Sequence, residues 1–171
     1  NVTISNNTTS GGSNGGGISI DAAATATLSN NILANNQASG TAEDCLGTIT
    51  SLGDNLVEVP TGCVGLGAND ITLVDPLLGP LQNNGGRTFT RAPQAGSQAL
   101  DTGATQGSCE MVDQRGLSRP QGIACDGGSY EQFPSCPAVT LSPTTLPDAQ
   151  AGQFYSQTVD PDGGVPPYRL A

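Results

Sequence analysis

The segment Ala26-Thr27-Leu28-Ser29-Asn30-Asn31 decides the predicted fold, because two other segments match it at a constant spacing of 24 residues. The earlier copy is Val2-Thr3-Ile4-Ser5-Asn6-Asn7, and the later copy is Thr50-Ser51-Leu52-Gly53-Asp54-Asn55. An apolar residue stands third in each copy. A repeat of this length, with short strands, no helix and asparagine at the corners, is typical of a parallel β-helix.

Stacking these copies predicts two ladders that continue from coil to coil. Strands of neighbouring coils lie about 4.8 Å apart, so the apolar residues would form one inward column. The asparagines would form a second column at a corner, since asparagine tolerates the left-handed backbone of a tight bend and its amides can stack. The apolar column is Ile4, Leu28 and Leu52, and the asparagine column is Asn7, Asn31 and Asn55.

The composition of the 171-residue chain favours an all-β fold and excludes several functions. Strong helix formers are scarce beside 24 Gly and 12 Pro. A net charge of −10 removes the electrostatic attraction to nucleic acid or anionic lipid, and the absence of His excludes Ser-His-Asp and Cys-His nucleophile systems. No run reaches the roughly 18 apolar residues of a membrane span. We therefore predict no nucleic-acid binding and no membrane insertion, and any export signal or anchor would lie outside this chain.

Five cysteines without a Cys-x-x-Cys pair favour disulfides over a zinc site. Many pairings are open. The local pairs Cys45–Cys63 and Cys109–Cys125 are expected because each closes a modest loop, and such a bridge stabilises a fold by about 3 kcal/mol. Cys136 would then stay unpaired or bond to a downstream or intermolecular cysteine. The competing interpretation is five buried thiols in a reducing cytoplasm, whereas disulfides indicate an extracellular or cell-surface location.

Five ordered blocks follow the repeat: DPLLGPL (75–81), NNGG (83–86), GSQALDTG (96–103), DQRGLSRP (113–120) and CDGGSYE (125–131). In this order they resemble the choice-of-anchor Q domain of large bacterial surface and secreted proteins. The resemblance covers roughly residues 26 to 132. It implies that residues 1–133 are the last coils and the C-terminal cap of a right-handed parallel β-helix, and it supplies no catalytic residues.

The end of the chain carries four short stretches, LSP (141–143), LP (146–147), GQFYSQ (152–157) and GGVPPY (163–168). Together they resemble the start of a bacterial putative Ig domain. The resemblance implies that residues 134–137 are a linker and that residues 138–171 are the first strands of an incomplete Ig-like β-sandwich. Because so few strands cannot cover their own apolar face, we expect downstream domains or self-association into fibres to complete them.

Arg115 and Arg119 stand in the densest group of opposite charges in the chain. Two interpretations stay open. An Arg base beside carboxylates that hold Ca²⁺ occurs in some β-helix polysaccharide lyases, whereas guanidinium groups forked onto carboxylates also stabilise irregular loops. We expect the structural role, and Ca²⁺ is the only cofactor considered. The neighbouring carboxylates are Asp101, Glu110, Asp113, Asp126 and Glu131.

Two further sets of carboxylates were weighed as sites. Asp160-Pro161-Asp162-Gly163 alternates oxygen ligands as calcium loops do but lacks the rest of an EF-hand, so a hairpin turn is expected. A glycosidase needs two carboxylates across one groove, and no spacing selects a pair among Asp54, Asp70 and Asp75. We predict no catalytic, cofactor-binding or metal-binding residue.

These features predict a non-enzymatic extracellular protein of bacterial origin, either a structural or adhesive surface protein or a filament-forming subunit. Its partners would be other copies of the chain, neighbouring domains, or a glycan or host cell-surface ligand. The alternative is the C-terminal fragment of a carbohydrate-active β-helix enzyme, a lyase or a glycoside hydrolase, with its catalytic coils upstream.

Overall fold

The computed structural model describes residues 1–12, 15–40, 43–103, 109–133 and 140–162. The chain divides into two compact units, Asn1–Phe133 and Pro134–Ala171. Every regular element in the described residues is a β-strand, so none of them forms a helix that could cross a membrane. The strands are β1 (Thr3–Ser5), β2 (Ile18–Ser19), β3 (Ala26–Leu28), β4 (Ile32–Ala34), β5 (Cys45–Ser51), β6 (Leu56–Val57), β7 (Cys63–Val64), β8 (Ile71–Thr72), β9 (Thr140–Ser142) and β10 (Asp160–Asp162).

Two small parallel sheets make up the first unit. One sheet has the order β1-β4-β6-β8, and all of its pairs are parallel. In the other sheet the seven-residue strand β5 pairs with β2 and β3 at successive positions and with β7, again in parallel. Parallel neighbours require a crossover between strands, which the long connecting loops of this chain provide.

The right-handed parallel β-helix predicted from the repeat is wrong. Its coils should follow one another every 24 residues, but successive segments meet at separations of 29, 24 and 15 residues. Ile4 lies beside Leu33, and Leu28 lies beside Ser51. Strand β1 therefore pairs with the strand that follows the Asn30-Asn31 corner, not with the matching strand β3. Equal spacing of similar residues does not set the register here, because the connections differ in length.

The predicted inward column of Ile4, Leu28 and Leu52 is also wrong, because the three residues do not all face the core. Leu52 is 65% exposed, and only Ile4 and Leu28 pack against the core. The side chains that fill the core belong to β4, β5 and β6. Alternate residues of β4 and β6 point to opposite faces of their sheet, as the two-residue period of a strand requires. One face holds Ile32, Ala34 and Leu56 with Ala99, and the other holds Leu33 and Val57 with Cys45 and Ile49.

The loops after β8 pack against the sheet β1-β4-β6-β8, because both faces of that sheet are apolar and have to be covered. Ala99 and Leu78 come from the region after β8 and cover the face formed by Ile32 and Leu56. The opposite face packs against the second sheet, including Ile18 and Cys63. A parallel sheet covered on both sides suits the continuous apolar run Ile32-Leu33-Ala34, which is fully buried.

Two disulfides are present, and they join the cysteines that the sequence pairs. Cys45–Cys63 links β5 to β7 with 5.4 Å between the Cα atoms. Cys109–Cys125 links two loops with 6.4 Å between the Cα atoms. The fifth cysteine, Cys136, lies outside the described residues, as does the predicted linker 134–137.

The incomplete Ig-like β-sandwich predicted for residues 138–171 is not shown either. In the described part of the second unit, β9 and β10 form one antiparallel pair, with Leu141 beside Pro161. Two strands in a single sheet have no second layer to pack on, and Phe154 is 95% exposed. The residues that suggested a calcium loop or a hairpin turn, Asp160 to Asp162, are strand β10, and Gly163 lies outside the described residues.

Candidate functional site

Five charged residues form a buried group that we call the Arg–carboxylate cluster: Asp113, Arg115, Arg119, Asp126 and Glu131. Its centre is the ion pair between Arg119 and Glu131, with 3.1 Å between Nη1 and Oε2. The side chains are 1% and 0% exposed, respectively. Such burial is tolerated only when every charge is paired and hydrogen-bonded, so the surrounding loops have to supply partners.

The loop around Cys125 supplies the partners of Arg119. Nη1 donates to the carbonyl of Asp126 and Nη2 donates to the carbonyl of Gly128, each at 2.7 Å. Nε is the one nitrogen of this guanidinium that has no hydrogen-bond partner among the described residues. The planar guanidinium therefore binds two backbone carbonyls and one carboxylate, and it orders the loop that carries them.

Gly128 has to be glycine for this loop to fit. Its φ is +80°, and a Cβ atom there would lie 2.9 Å from Cδ1 of Ile32 and would also collide with Oγ1 of Thr3. The Gly128 N–H donates to the carbonyl of Asn30 at 2.9 Å. Close approach of this backbone to the first sheet thus explains the second glycine of the block CDGGSYE.

Arg115 forms the second ion pair of the cluster. Its Nη2 lies 2.7 Å from Oδ2 of Asp113, and the same nitrogen donates a short hydrogen bond to the Glu131 carbonyl. Nη1 donates to the carbonyl of Asn84 at 3.3 Å. The guanidinium carbon lies 3.5 Å from the ring centroid of Tyr130, a cation–π contact. Arg115 therefore joins three separate loops.

The carboxylates of the cluster are saturated by backbone N–H groups. Glu131 accepts from Gln121 at 2.8 Å through Oε1 and from Asp126 at 3.0 Å through Oε2. Asp113 accepts from Leu117 at 3.1 Å and from Glu131 at 3.0 Å. Carboxylates that accept this many hydrogen bonds serve as structural anchors for the loops that donate them.

Burial and hydrogen bonding shift the pKa values of the cluster in different directions. Burial opposes ionisation of Asp113, but hydrogen bonds from the Glu131 N–H, the Arg115 side chain and the Leu117 N–H outweigh it and lower its pKa. Burial raises the pKa of Asp126, although the N–H groups of Gln132 and Asp101 oppose the shift. Burial lowers the pKa of Arg119, and Glu131 opposes that change.

The structure brings together five of the seven charged residues that the sequence groups. Asp101 is exposed, and its carboxylate accepts only one weak bond, from the Ala124 N–H at 3.3 Å. Its backbone N–H donates to Oδ1 of Asp126 at 2.8 Å. Glu110 is exposed. Neither side chain belongs to the ion-paired group.

Among the other candidate carboxylates, two serve local structure. Asp70 accepts from the Ser51 hydroxyl at 2.8 Å and from the Gly67 N–H at 2.7 Å. Burial opposes its ionisation, but these bonds and those from Asn55 outweigh it and lower its pKa. Asp75 accepts from the Leu77 N–H at 2.8 Å. In the described residues, no group of three or more His, Cys, Asp or Glu could hold a metal ion.

Asn31 and Asn55 stack as predicted, but Asn7 does not join them. Both the N–H and Nδ2 of Asn31 donate to Oδ1 of Asn55, at 3.1 and 3.0 Å. Asn55 donates in the same way to Oδ1 of Asp70, at 3.0 and 2.9 Å. These three residues form the first amide ladder.

Asn7 instead starts a second amide ladder. Its N–H and Nδ2 donate to Oδ1 of Asn36, both at 3.0 Å. Asn36 then donates to Oδ1 of Asp44, at 3.2 and 2.9 Å. The repeat did not reveal this ladder, because Asn36 stands in no matching column of the three copies.

The left-handed corner lies one position earlier than predicted. Asn6, Asn30 and Asp54 have φ values of 60°, 55° and 60°, and they precede the three asparagines assigned to the corner. The fifth residue of each copy therefore makes the bend, and the sixth makes the amide contact. Asn and Asp are the side chains that tolerate this conformation best.

A groove of about 590 Å³ lies between β1 and the loops around residues 81–91. Thr3, Ser5 and Asn7 line one side, and Phe89, Arg91 and Gln114 line the other. Sequence reasoning did not find it, because its two sides are more than 70 residues apart in the chain. An aromatic residue between two threonines, Thr88 and Thr90, was the available signal.

The chain has no match among known proteins in three comparisons: no protein-family model, no curated protein and no solved structure matches it.

Proposed function

We propose that this chain is a non-enzymatic, disulfide-bonded extracellular protein with a structural or adhesive role at a bacterial surface. The resemblance of its five blocks to choice-of-anchor Q domains supports the bacterial surface. Two disulfides support an oxidising compartment, where such bonds persist. We propose a non-catalytic role because the residues of these five blocks form hydrogen bonds within the fold.

One observation carries the proposal: each block is hydrogen-bonded to another block. The Ser97 hydroxyl donates to the Pro76 carbonyl at 2.6 Å, and the Gly103 N–H donates to the Cys125 carbonyl at 2.8 Å. Arg115 bonds to the carbonyls of Asn84 and Glu131. The characteristic residues of the blocks therefore hold loops together, which is the use expected of a structural motif.

The cluster is unsuited to the lyase chemistry considered above. A general base must reach the proton that it removes from a substrate. The Arg119 side chain is 1% exposed and that of Arg115 is 6% exposed, and the Nη1 and Nη2 atoms of both bind carbonyls and carboxylates of the fold. An adhesive or scaffolding protein needs a stable surface, and the loop contacts of these two arginines help to provide one.

The test compares adhesion with cleavage on the same polymers. Beads coated with the oxidised chain are incubated with immobilised acidic and neutral polysaccharides, while free chain is mixed with the soluble polymers with and without Ca²⁺. We expect the beads to be retained and the polymer length, measured by size-exclusion chromatography, to stay constant. Beads coated with reduced and alkylated chain are the matched control. Polymer shortening that needs Ca²⁺, or retention equal to that of uncoated beads, would contradict the proposal.

A further inference from the structure

We propose that the groove beside β1 binds short acidic oligosaccharides, with Phe89 stacking on a sugar ring and Arg91 pairing with a sugar carboxylate. The inference rests on the proposed adhesive function and gives it a ligand class. It is drawn from three properties of the groove: an exposed aromatic ring on an ordered hairpin, a surface of neutral hydrogen-bonding groups, and a lone cation in an acidic protein.

Phe89 is 60% exposed although its backbone neighbour Thr90 is hydrogen-bonded on both sides. The flanking Thr90 is buried and exchanges both backbone hydrogen bonds with Gln82, at 3.1 and 3.2 Å. Asn84 Nδ2 donates to the Thr90 carbonyl at 2.8 Å. The ring is therefore presented by a fixed backbone at the groove. Binding of the C–H face of a pyranose to the exposed ring face is favourable, because it removes apolar surface from water.

Besides Phe89 and Arg91, the lining of the groove offers neutral donors and acceptors at fixed positions. Thr3 Oγ1 accepts from the N–H of Ser129 at 3.0 Å and lies 3.2 Å from its hydroxyl. Gln114 is oriented by two bonds, its N–H to the Ser129 carbonyl at 3.0 Å and its Nε2 to Thr88 Oγ1 at 2.7 Å. Hydroxyl and amide groups held in this way match the hydroxyls of a sugar, and little side-chain entropy is lost on binding.

Charge selects an acidic sugar. The chain carries a formal charge of −10, yet no carboxylate lines this groove in the described residues, and Arg91 is its cation. Arg91 donates from Nη1 to the Gly79 carbonyl at 2.9 Å and forms no salt bridge in the described part of the chain. In contrast, Arg115 and Arg119 of the Arg–carboxylate cluster are each paired with a carboxylate. The remaining N–H groups of Arg91 suit a carboxylate on the ligand.

The size of the groove fits a short oligosaccharide. Its volume of about 590 Å³ falls within the range of roughly 300–1,000 Å³ that small-ligand sites occupy. A sugar carboxylate can come from a uronic acid or from a sialic acid, and Arg91 could pair with either. The experiment therefore uses one probe of each kind.

Binding is measured on the full oxidised chain by titration calorimetry with trigalacturonate and with sialyllactose. Each acidic probe is compared with an uncharged probe: methyl-esterified trigalacturonate for trigalacturonate, and lactose for sialyllactose. We expect at least one acidic probe to bind at least tenfold more tightly than its neutral partner. Phe89→Ala should weaken that binding about tenfold or more, whereas Arg91→Gln should remove the preference for the acidic probe and leave the neutral probe unchanged.

The matched controls are Phe154→Ala, at a phenylalanine that is 95% exposed in the second unit, and Arg87→Gln, at an exposed arginine outside the groove lining. Both should leave the dissociation constants within twofold, and all variants should melt within a few degrees of the wild type. Equal binding of acidic and neutral probes, no binding of any probe, or an unchanged affinity in Phe89→Ala overturns the inference. If wild-type beads still adhere to a surface in those cases, the adhesive function survives and only the groove assignment fails.

Discussion

Replacing Glu131 by glutamine should destabilise the first unit strongly, because Glu131 is the fully buried centre of the Arg–carboxylate cluster. The change keeps the shape of the side chain and removes its charge. Arg119, with a side chain 1% exposed, would lose its only carboxylate partner. Removing one member of a buried ion pair costs about 3–5 kcal/mol, since the remaining charge stays out of water.

The hydrogen bonds of Glu131 predict a loss of stability as well, through a smaller contribution. Oε2 accepts from Arg119 and from the Asp126 N–H, and Oε1 accepts from the Gln121 N–H. A glutamine has a single acceptor oxygen, so its amide group would face at least one donor. One buried donor without a partner costs about 1–3 kcal/mol. The loss is a large share of the roughly 5–15 kcal/mol that typically stabilises a domain.

The assay is equilibrium unfolding in urea with both disulfides intact, followed by far-ultraviolet circular dichroism. The control is Glu110→Gln, which removes the same charge from an exposed neighbour and should change the free energy of unfolding by less than about 0.5 kcal/mol. If the two variants unfold at the same urea concentration, the cluster does not stabilise the fold and the argument from burial fails.

Three further predictions follow from the ladders, the register and the cluster. Asn55→Ala should lower the free energy of unfolding by about 3 kcal/mol, because the N–H and Nδ2 of Asn31 would lose their acceptor. The control Asn69→Ala, at an exposed asparagine, should be near neutral in the same urea titration. Leu33→Ala should cost about 2–5 kcal/mol, while Leu52→Ala should cost less than about 0.5 kcal/mol; thermal melts that reverse this order would restore the predicted apolar column. The folded pKa of Asp126 is raised, so its contribution to stability is complete below the unfolded pKa of about 4 and is lost as the pH rises through the folded value. The stability of the wild type relative to Asp126→Asn should therefore fall over that pH range, and a relative stability that rises there would contradict the shift.

The repeat predicts a contact correctly where the two paired residues are 24 residues apart in the structure too. It fails where the connection between the paired strands has another length. Asn31 and Asn55 are 24 residues apart and stack as expected. Asn7 is equally spaced from Asn31 but contacts Asn36, because β1 pairs with β4 five residues further along. Register depends on the length and turns of each connection, and a constant spacing of similar residues does not contain that information.

In the candidate site, too, contacts between residues close in sequence were predictable and contacts between distant residues were not. Neighbouring charges in the sequence predicted the Arg–carboxylate cluster and its structural role, because Asp113 and Arg115 are two residues apart and Arg119 lies close by. The groove could not be predicted in this way. Phe89 and Arg91 reach β1 only because the loops after β8 fold back over the first sheet, where Ala99 and Leu78 cover Ile32 and Leu56. That packing is a long-range consequence of burying both faces of a parallel sheet.

Both amide ladders end on an aspartate, and the chemistry of the side chain explains why. An asparagine in a ladder accepts through Oδ1 and donates through its N–H and Nδ2, so each asparagine requires an acceptor in the next segment. Asp44 and Asp70 accept two such bonds on one oxygen and use the other for the N–H groups of Val59 and Gly67. A carboxylate has no N–H group to donate, so the side-chain ladder ends at each aspartate, and the second oxygen accepts from the adjoining loop. The aspartates therefore join each ladder to a loop, a contact that the 24-residue spacing does not predict.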